Sequence, residues 1–190
     1  MSKLLLGSVA EQVLRSVNLP VITVGPEARL PVDGNTTDRV VLHATTLREA
    51  SRPSAALACQ IAGTLDARLV ILHVLPPTYE MERQGQPTGL DSVAMQELKA
   101  LAGTTAEGCS NCVEPHVVHG NPAIEILAEA EERHACLIVM GSTARSGFQN
   151  LTRDRTVYKI LAHAHCPVMT LREAQVKDED NAIAPMALHS

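Results

Sequence analysis

Two cysteines in a Cys-x-x-Cys pattern, Cys109 and Cys112, are the first candidates for chemistry in this sequence. Such a pair binds zinc or exchanges disulfides when further ligands or a redox partner lie nearby. His116 and His119 follow in a predicted strand, but a strand directs residues three apart to opposite faces, so both cannot easily join one site. No second Cys-x-x-Cys follows, and we expect no bound metal. The pattern favours a surface turn with two free thiols, with a metal or redox site as the alternative.

Histidines near predicted strand and helix ends are the second set of candidates. His43 and His73 lie close to the sheet edge where small molecules bind, so either could contact a ligand, but a structural role is favoured. His163 and His165 flank the end of the last predicted helix, where a cation interacts favourably with the helix dipole. No nucleophile, base and orienting acid occur at a recognisable spacing, and Gly-x-Ser-x-Gly and Gly-Lys-Ser/Thr motifs are absent. The sequence therefore predicts that the protein is not an enzyme.

The composition narrows the class of protein further. Of 190 residues, 45% are apolar and 2% aromatic, which suits helices packed on a sheet of branched side chains. A formal charge of −5 without a basic cluster disfavours nucleic acid and membrane surfaces as partners. The apolar run at 1–6 is too short for a signal peptide, and five irregularly spaced cysteines do not form a secreted disulfide framework. We expect a cytoplasmic protein with reduced thiols.

Short branched-aliphatic runs alternate with longer helical patterns along the chain. The runs predict strands at 39–43, 68–74, 113–118, 137–140 and 167–171. Apolar residues at helical spacing predict helices at 48–65, 91–107, 122–134 and 154–164. Strands that alternate with helices imply right-handed crossovers and a parallel sheet. The predicted fold class is therefore α/β, a five-stranded parallel open sheet of Rossmann type with helices on both faces.

The third helix is the best delimited of the four. Asn121 is suited to cap its amino end, and Pro122 fits its first position. A long polar loop at 76–90 precedes the second helix and is either a lid or a flexible insertion. The predicted buried face of the third helix consists of Ile124, Ile126, Leu127 and Ala130.

An internal repeat appears at an offset of 147 residues, the distance from Leu4 to Leu151. Both segments contain a helical pattern, a small linker that ends in proline, and a short strand. Five identical residues share the offset: Leu4, Leu14, Pro20, Val21 and Thr23 recur as Leu151, Leu161, Pro167, Val168 and Thr170.

Several motifs, found together in this order, resemble the universal stress protein family. They are Gly120-Asn121-Pro122, then Val139-Met140-Gly141-Ser142 with Arg145-Ser146-Gly147, and then Cys166-Pro167-Val168. The resemblance covers residues 37–172 as a complete domain. Gly7-Ser8-Val9-Ala10-Glu11 with Leu19-Pro20-Val21 resembles the end of another such domain.

The resemblance implies a tandem member of the family with a truncated first domain, and Met1 corresponds to Phe148 of the complete copy. We expect four parts. They are the carboxyl-terminal helix and strand of a first domain at 1–26, a linker at 27–37, a complete domain at 38–172 and a disordered tail at 173–190.

Many relatives bind ATP through a loop that resembles Gly-x-x-Gly, nine residues, and then Gly-Ser or Gly-Thr. Glycines let backbone amides approach phosphates, and the helix that follows favours negative charge at its amino end. The resemblance therefore implies a nucleotide site at the carboxyl ends of the strands. Its residues in this sequence are Ala44, Thr45, Val74, Gly120, Met140, Gly141, Ser142, Arg145, Ser146, Gly147 and Arg155.

The sequence departs from that nucleotide-binding pattern at several places. Ala144 occupies the second glycine position, and Asp154-Arg155 stands where Gly-Ser or Gly-Thr is usual. After the first predicted strand, where nucleotide-binding relatives usually have an aspartate that meets adenosine, this chain has Ala44-Thr45. Asp154, as a cap of the last helix, would fill the amide site and repel phosphate. We expect no tight ATP binding, although two arginines of this region leave weak anion binding open as an alternative.

Family members resemble one another in pairing edge to edge through their last strands. In this chain residues 20–24 could pair with residues 167–171, which would cover an exposed sheet edge. We expect a homodimer or pseudo-dimer of this kind and a further protein partner that the sequence does not identify. The predicted function is a non-catalytic stress-response module that dimerises through its last strand. The alternative is an ATP-binding, nucleotide-responsive regulator.

Overall fold

A single six-stranded sheet forms the centre of the protein in a computed structural model. The structure describes residues 12, 16–29, 39–77, 89–106, 113–142 and 151–172, with the backbone alone at 151–155. The strands are β1 (Val21–Thr23), β2 (Val40–Thr45), β3 (Arg68–Leu75), β4 (Val113–His119), β5 (Ala135–Ser142) and β6 (Val168–Arg172).

The strands lie in the order β1-β6-β5-β2-β3-β4. Neighbouring pairs from β6 to β4 are all parallel, and β1 alone joins antiparallel, at the edge of β6. The predicted five-stranded parallel sheet is therefore confirmed, with ends that differ from the prediction by one or two residues. The sixth strand makes the sheet mixed.

Four α-helices cover the two faces of the sheet, as predicted. They are α1 (Arg52–Leu65), α2 (Gly89–Ala106), α3 (Pro122–Glu132) and α4 (Leu151–His163), and a 3₁₀ turn at Glu49–Ser51 precedes α1. Alternate strand residues enter two separate cores. On one face Leu42 and Ile138 pack with residues of α3 and α4, and on the other Ile71 and Val139 pack with residues of α1 and α2.

Helix α3 begins as predicted, but one residue of its buried face was assigned wrongly. The Asn121 side chain accepts a hydrogen bond from the Ala123 amide at 3.1 Å, and Pro122 opens the helix. Ile126 and Ala130 are buried, whereas Ile124 is exposed. Helical spacing places Ile124 next to the buried stripe rather than in it.

Helix α4 begins three residues earlier than predicted. Its first residue is Leu151, so Asp154 lies inside the first turn. The prediction that Asp154 caps this helix is therefore wrong. The sequence did not mark the start of this helix, because its aliphatic pattern is weak at 151–155. Three polar residues follow one another there: Thr152, Arg153 and Asp154.

The residues that follow β1 lie against the carboxyl-terminal end of α4. The Arg29 amide donates to the His165 carbonyl at 2.7 Å. Glu27 lies 3.0 Å from Nδ1 of His163 and 3.7 Å from Nε2 of His165. His165 also lies 3.3 Å from Glu131. The two histidines that were predicted to interact with the helix dipole thus contact carboxylates. One of these carboxylates, Glu27, belongs to the segment after β1.

The opposite edge of the sheet carries a network of charged side chains on β4 and α3. Arg133 donates to Glu114 and Glu129, each at 2.8 Å, and Arg68 lies 3.8 Å from Glu114. His116 contacts Glu129 at 3.3 Å. The β4 edge is therefore lined by charges that satisfy one another.

The prediction that all cysteines are reduced is wrong for Cys59, which is disulfide-bonded. Cys136 and Cys166 are free thiols, so the partner of Cys59 lies outside the described residues, as do Cys109 and Cys112. Burial, together with the nearby Cys136 thiol, raises the pKa of Cys166 to about 11. Irregular cysteine spacing alone does not exclude a disulfide between segments that are distant in sequence.

Candidate functional site

The candidate site lies where the strand order reverses, between β2 and β5. From β2 the chain continues through β3 and β4 on one side, while β5 and β6 lie on the other. In open α/β sheets the crevice at this point, outside the carboxyl ends of the strands, is where ligands bind. The register places Ala44 beside Met140. Two predicted site residues from distant segments are thus neighbours.

Thr45, the last residue of β2, is buried and makes hydrogen bonds within the protein. Its hydroxyl accepts the Leu47 amide hydrogen at 3.1 Å. Its carbonyl accepts from Nδ1 of His73 at 2.9 Å, which fixes the proton of that ring on Nδ1. Leu47 has a φ of 60°, in the left-handed region. Thr45 therefore stabilises the turn after β2 and offers no charge to a ligand.

The same turn contains a hydroxyl pair that the sequence analysis missed. Thr46 and Ser51 have their oxygen atoms 3.1 Å apart, and Ser54 donates to the Ser51 carbonyl at 2.9 Å. Both serines are buried. Hydroxyl residues next to a strand end favour local turns of this type, and the two threonines at 45–46 were the available signal.

His43 is a structural histidine and cannot contact a ligand, because its side chain is fully buried. Its Nδ1 donates to the Val139 carbonyl at 3.2 Å. Nε2 has no hydrogen-bond partner within the described part of the chain. Burial lowers the pKa of His43 from 6.5 to about 4, although the bond to Val139 acts in the other direction. The ligand alternative considered for His43 is wrong.

Gly120 lies at the end of β4 and leads into α3. Its φ is 147°, a conformation that side-chain-bearing residues rarely adopt, and its amide donates to the Leu75 carbonyl at 2.9 Å. The Glu125 side chain covers the place where a β-carbon would lie. The amino end of α3 therefore already has two acidic or polar groups over it, Asn121 and Glu125, which leaves little need for a bound anion.

The remaining predicted site residues lie in different places. Gly141 and Ser142 end β5 and are half-buried, and Ser142 donates a long bond of 3.5 Å to the Leu171 carbonyl. Val74 and Met140 pack against a core. Arg145, Ser146 and Gly147 lie outside the described residues, and Arg155 is on α4 with only its backbone described.

Other kinds of site find little support in the part of the chain that the structure describes. No three His, Cys, Asp or Glu side chains come together there in a way that could hold a metal ion. His116 and His119 contact residues of different helices, Glu129 on α3 and Asp91 on α2, which agrees with their predicted opposite directions. None of the described helices has the length and apolar character needed to cross a membrane.

The fold defines an open α/β domain of Rossmann type, and in such domains the strand-order reversal is the usual place for a ligand. A family model described as "Universal stress protein family" matches residues 37–172. The chain therefore belongs to the universal stress protein family. The matched span agrees with the complete domain that the motifs indicated.

Individual relatives support the same assignment. A curated universal stress protein of Methanocaldococcus jannaschii is 27% identical over 131 residues, which are 66% of this chain and 76% of that protein. A solved universal stress protein from Archaeoglobus fulgidus, 25% identical with a TM-score of 0.65, is matched over 91% of this chain but 56% of its own, longer chain. Another from the same organism, solved in complex with dAMP, shares the fold at 16% identity, with a TM-score of 0.54 over 73% of this chain and 99% of its own.

Proposed function

We propose that this protein is a non-catalytic stress-response module whose nucleotide site is degenerate. The observation that carries the proposal is Thr45. Thr45 lies at the reversal point, and its neutral hydroxyl already accepts the Leu47 amide hydrogen. A nucleotide would have to compete with that internal bond without gaining a charged partner.

The phosphate side of the crevice supports the same conclusion. Ala144 and Asp154 replace small residues that would let backbone amides reach a phosphate. A carboxylate about 4 Å from a phosphate costs roughly 1 kcal/mol in water and several-fold more where screening is poor. The site therefore disfavours a triphosphate at both of its ends.

A second candidate function is an ATP-binding, nucleotide-responsive regulator. Two observations favour it. Gly141 and Ser142 remain half-buried at the reversal point, where backbone groups can contact a ligand. A structural relative was solved with dAMP. In this alternative the Arg155 guanidinium would bind phosphate and so offset the repulsion between phosphate and the Asp154 carboxylate.

Calorimetry with magnesium and ATP separates the two functions. We expect no binding heat from the natural protein and measurable binding by an Asp154→Gly, Arg155→Ser variant, because that variant restores the small residues of the phosphate loop. Adding Thr45→Asp should tighten binding further. Asp66→Gly, Arg68→Ser is a control that changes the same charges at the opposite, amino-terminal edge of the sheet.

Binding by the natural protein at a dissociation constant on the order of micromolar would overturn the proposal and favour the nucleotide-responsive regulator. Failure of all variants to bind, with their folds intact, would also count against it, because the substituted residues would then not explain the loss of affinity. Enzymatic turnover of ATP by the natural protein would contradict the non-catalytic role.

We further propose that two chains associate through the strands at 20–24 and 167–171. In the single chain β1 occupies the edge of β6, with Val21 opposite Thr170. The same pairing forms between chains if two copies exchange their segments before residue 30. Such an exchange keeps every contact of β1 and costs little, since only the connection changes.

A double variant, Val21→Cys with Thr170→Cys, tests this association through a short thiol cross-linker. Exchange predicts a covalent dimer on a denaturing gel, because the two new thiols then belong to different chains. Each single variant controls for cross-linking through the native cysteines. A cross-linked species that runs only as a monomer would show that the pairing is internal, and the proposed dimer would be abandoned.

A further inference from the structure

A cavity of about 220 Å³ lies between the turn after β2 and the second half of α2. Three of the residues that line it are apolar: Leu47, Ala100 and Leu101. None of the residues predicted for the nucleotide site lines it, so the cavity is not part of that site. Its volume is below the roughly 300–1,000 Å³ of pockets for drug-sized ligands, which suits a ligand of few atoms.

Four charged side chains also line the cavity, and two of them are already paired with each other. Arg52 lies 3.3 Å from Glu49, so these two charges satisfy one another. The other two are Arg48 and Glu97, and neither has an ion pair within the described part of the chain. One positive and one negative charge in the lining thus remain available to a ligand.

The turn that carries Arg48 is held in a strained conformation. Leu47 has a φ of 60°, which a leucine adopts only where its surroundings impose it. The Thr45 hydroxyl holds the Leu47 amide, and the Ser51 amide donates to the preceding Arg48 carbonyl at 2.8 Å. Ser51 is buried, and its hydroxyl lies 3.1 Å from that of Thr46. Strained turns of this kind are common at ligand sites, where a backbone that is already ordered lowers the entropy cost of binding.

We propose that this cavity binds a small zwitterion, an α-amino acid with an aliphatic side chain such as leucine. The ligand carboxylate pairs with the Arg48 guanidinium, whose planar fork of donors suits a carboxylate. The ligand ammonium pairs with the Glu97 carboxylate, and the aliphatic side chain lies on the three apolar residues. The proposal goes beyond the stress-response function and does not depend on the nucleotide site.

A ligand with a single charge fits the cavity less well than a zwitterion. An anion that pairs with Arg48 is repelled by the unpaired Glu97 carboxylate, and a cation that pairs with Glu97 is repelled by Arg48. A zwitterion satisfies both side chains at once. Because both side chains are exposed and hydrated in the free protein, we expect a modest affinity, with a dissociation constant on the order of 1 mM.

Titration of the isotopically labelled full chain with L-leucine, followed by the chemical shifts of its amides, tests the proposal. We expect saturable shifts at 47–49 and 97–101, which line the cavity. Two analogues isolate the charges: 4-methylpentanoate is leucine without its ammonium, and 3-methylbutylamine is leucine without its carboxylate. Each should bind at least about tenfold more weakly than leucine, because each gives up one charged hydrogen-bonded pair.

Charge-removing variants assign each pair to its side chain. Arg48→Gln should weaken leucine binding at least about tenfold and leave the affinity for 3-methylbutylamine no lower, since the amine has no carboxylate for the guanidinium. Glu97→Gln should weaken leucine binding equally and leave the affinity for 4-methylpentanoate no lower. Lys99→Gln and Glu132→Gln are matched controls, because they remove the same charges at exposed positions outside the cavity.

Several results would overturn the proposal. One is the absence of saturable shifts with leucine up to about 20 mM. Another is equal binding of leucine and either analogue by the natural protein, a comparison that stays valid if a variant fails to fold. A third is equal weakening by the control variants, which would make net charge the cause. Leucine-induced shifts confined to 44–45 and 140–142 would place the ligand in the nucleotide crevice and would also reject the cavity as its site.

Discussion

Acidification from pH 7 to pH 4 is expected to lower the free energy of unfolding by about 3 kcal/mol through His43 alone. The unfolded chain binds a proton at this residue near the ordinary pKa of 6.5, whereas the folded protein does so only near 4. Proton uptake between these values therefore favours the unfolded state. The contribution of neutral His43 to the free energy of unfolding is complete above about pH 6.5. It is lost as the pH falls towards 4.

The surroundings of the His43 ring explain why its neutral form is required. Nδ1 donates to the Val139 carbonyl, so a second proton would have to be placed on Nε2. Nε2 is buried and has no partner in the described structure. A charge there would be neither hydrated nor paired, which is among the most costly arrangements in a protein core.

Urea unfolding of the natural protein and of His43→Leu at a series of pH values measures this contribution. The variant should lose most of the decline between pH 6.5 and pH 4, since leucine fills a similar volume without a titrating group. His134→Asn is the matched control, because it removes an exposed histidine and asparagine tolerates the left-handed φ of 51° at that position. Equal pH dependence in the natural protein and His43→Leu would refute the assignment.

The substitution Gly25→Ala is expected to release β1 from the sheet. A β-carbon at Gly25 would collide with the backbone carbonyl oxygen of Leu161 on α4, and neither backbone can yield as a side chain would. Overpacking of this kind costs about 1–3 kcal/mol. The contacts nearest to the clash are those of Glu27 and Arg29 with the end of α4, so these should be lost first.

Hydrogen exchange at 19–25 and limited proteolysis after Arg29 report this release. Both should become faster in Gly25→Ala, while the amides of β2 and β5 keep their protection. Gly63→Ala provides the contrast: nothing lies within 4 Å of a β-carbon there, and alanine in the interior of α1 should stabilise the protein by about 0.5–1 kcal/mol. Unchanged protection of β1 in Gly25→Ala would mean that the close approach to α4 does not hold the segment in place.

Sequence alone predicted the parallel sheet and its helices because the signals were local. Runs such as Leu-Val-Ile-Leu at 69–72 are apolar on both faces, which is typical of a strand covered on each side by helices. The start of α3 was equally clear, since Asn121 and Pro122 each suit a single position at a helix start. The prediction that 20–24 and 167–171 could pair came from the family resemblance, in which last strands meet edge to edge.

Other features were not predictable because they depend on which strands become neighbours. The burial of His43 follows from its register beside Val139, 96 residues later in the chain. The bond between His73 and the Thr45 carbonyl likewise requires the pairing of β2 with β3. Cys59 gave no indication of a disulfide, because nothing in the sequence relates it to another cysteine.

The structure brings only some of the predicted nucleotide-site residues together. Ala44 and Met140 are neighbours at the reversal point, since the carboxyl ends of parallel strands meet at one edge. The use of the Thr45 hydroxyl within its own turn was not foreseen. The sequence shows that 44–47 contains no aspartate, but only the structure shows that the Thr45 hydroxyl already accepts the Leu47 amide hydrogen.

The charged edge at β4 disfavours the addition of another strand on that side of the sheet. Glu114, Arg133 and His116 would each lose a partner if another strand approached, and Pro115 in the same strand has no amide hydrogen to offer. Of the two edges of the described sheet, the β4 edge is thus protected against edge-to-edge aggregation by its paired charges and its proline.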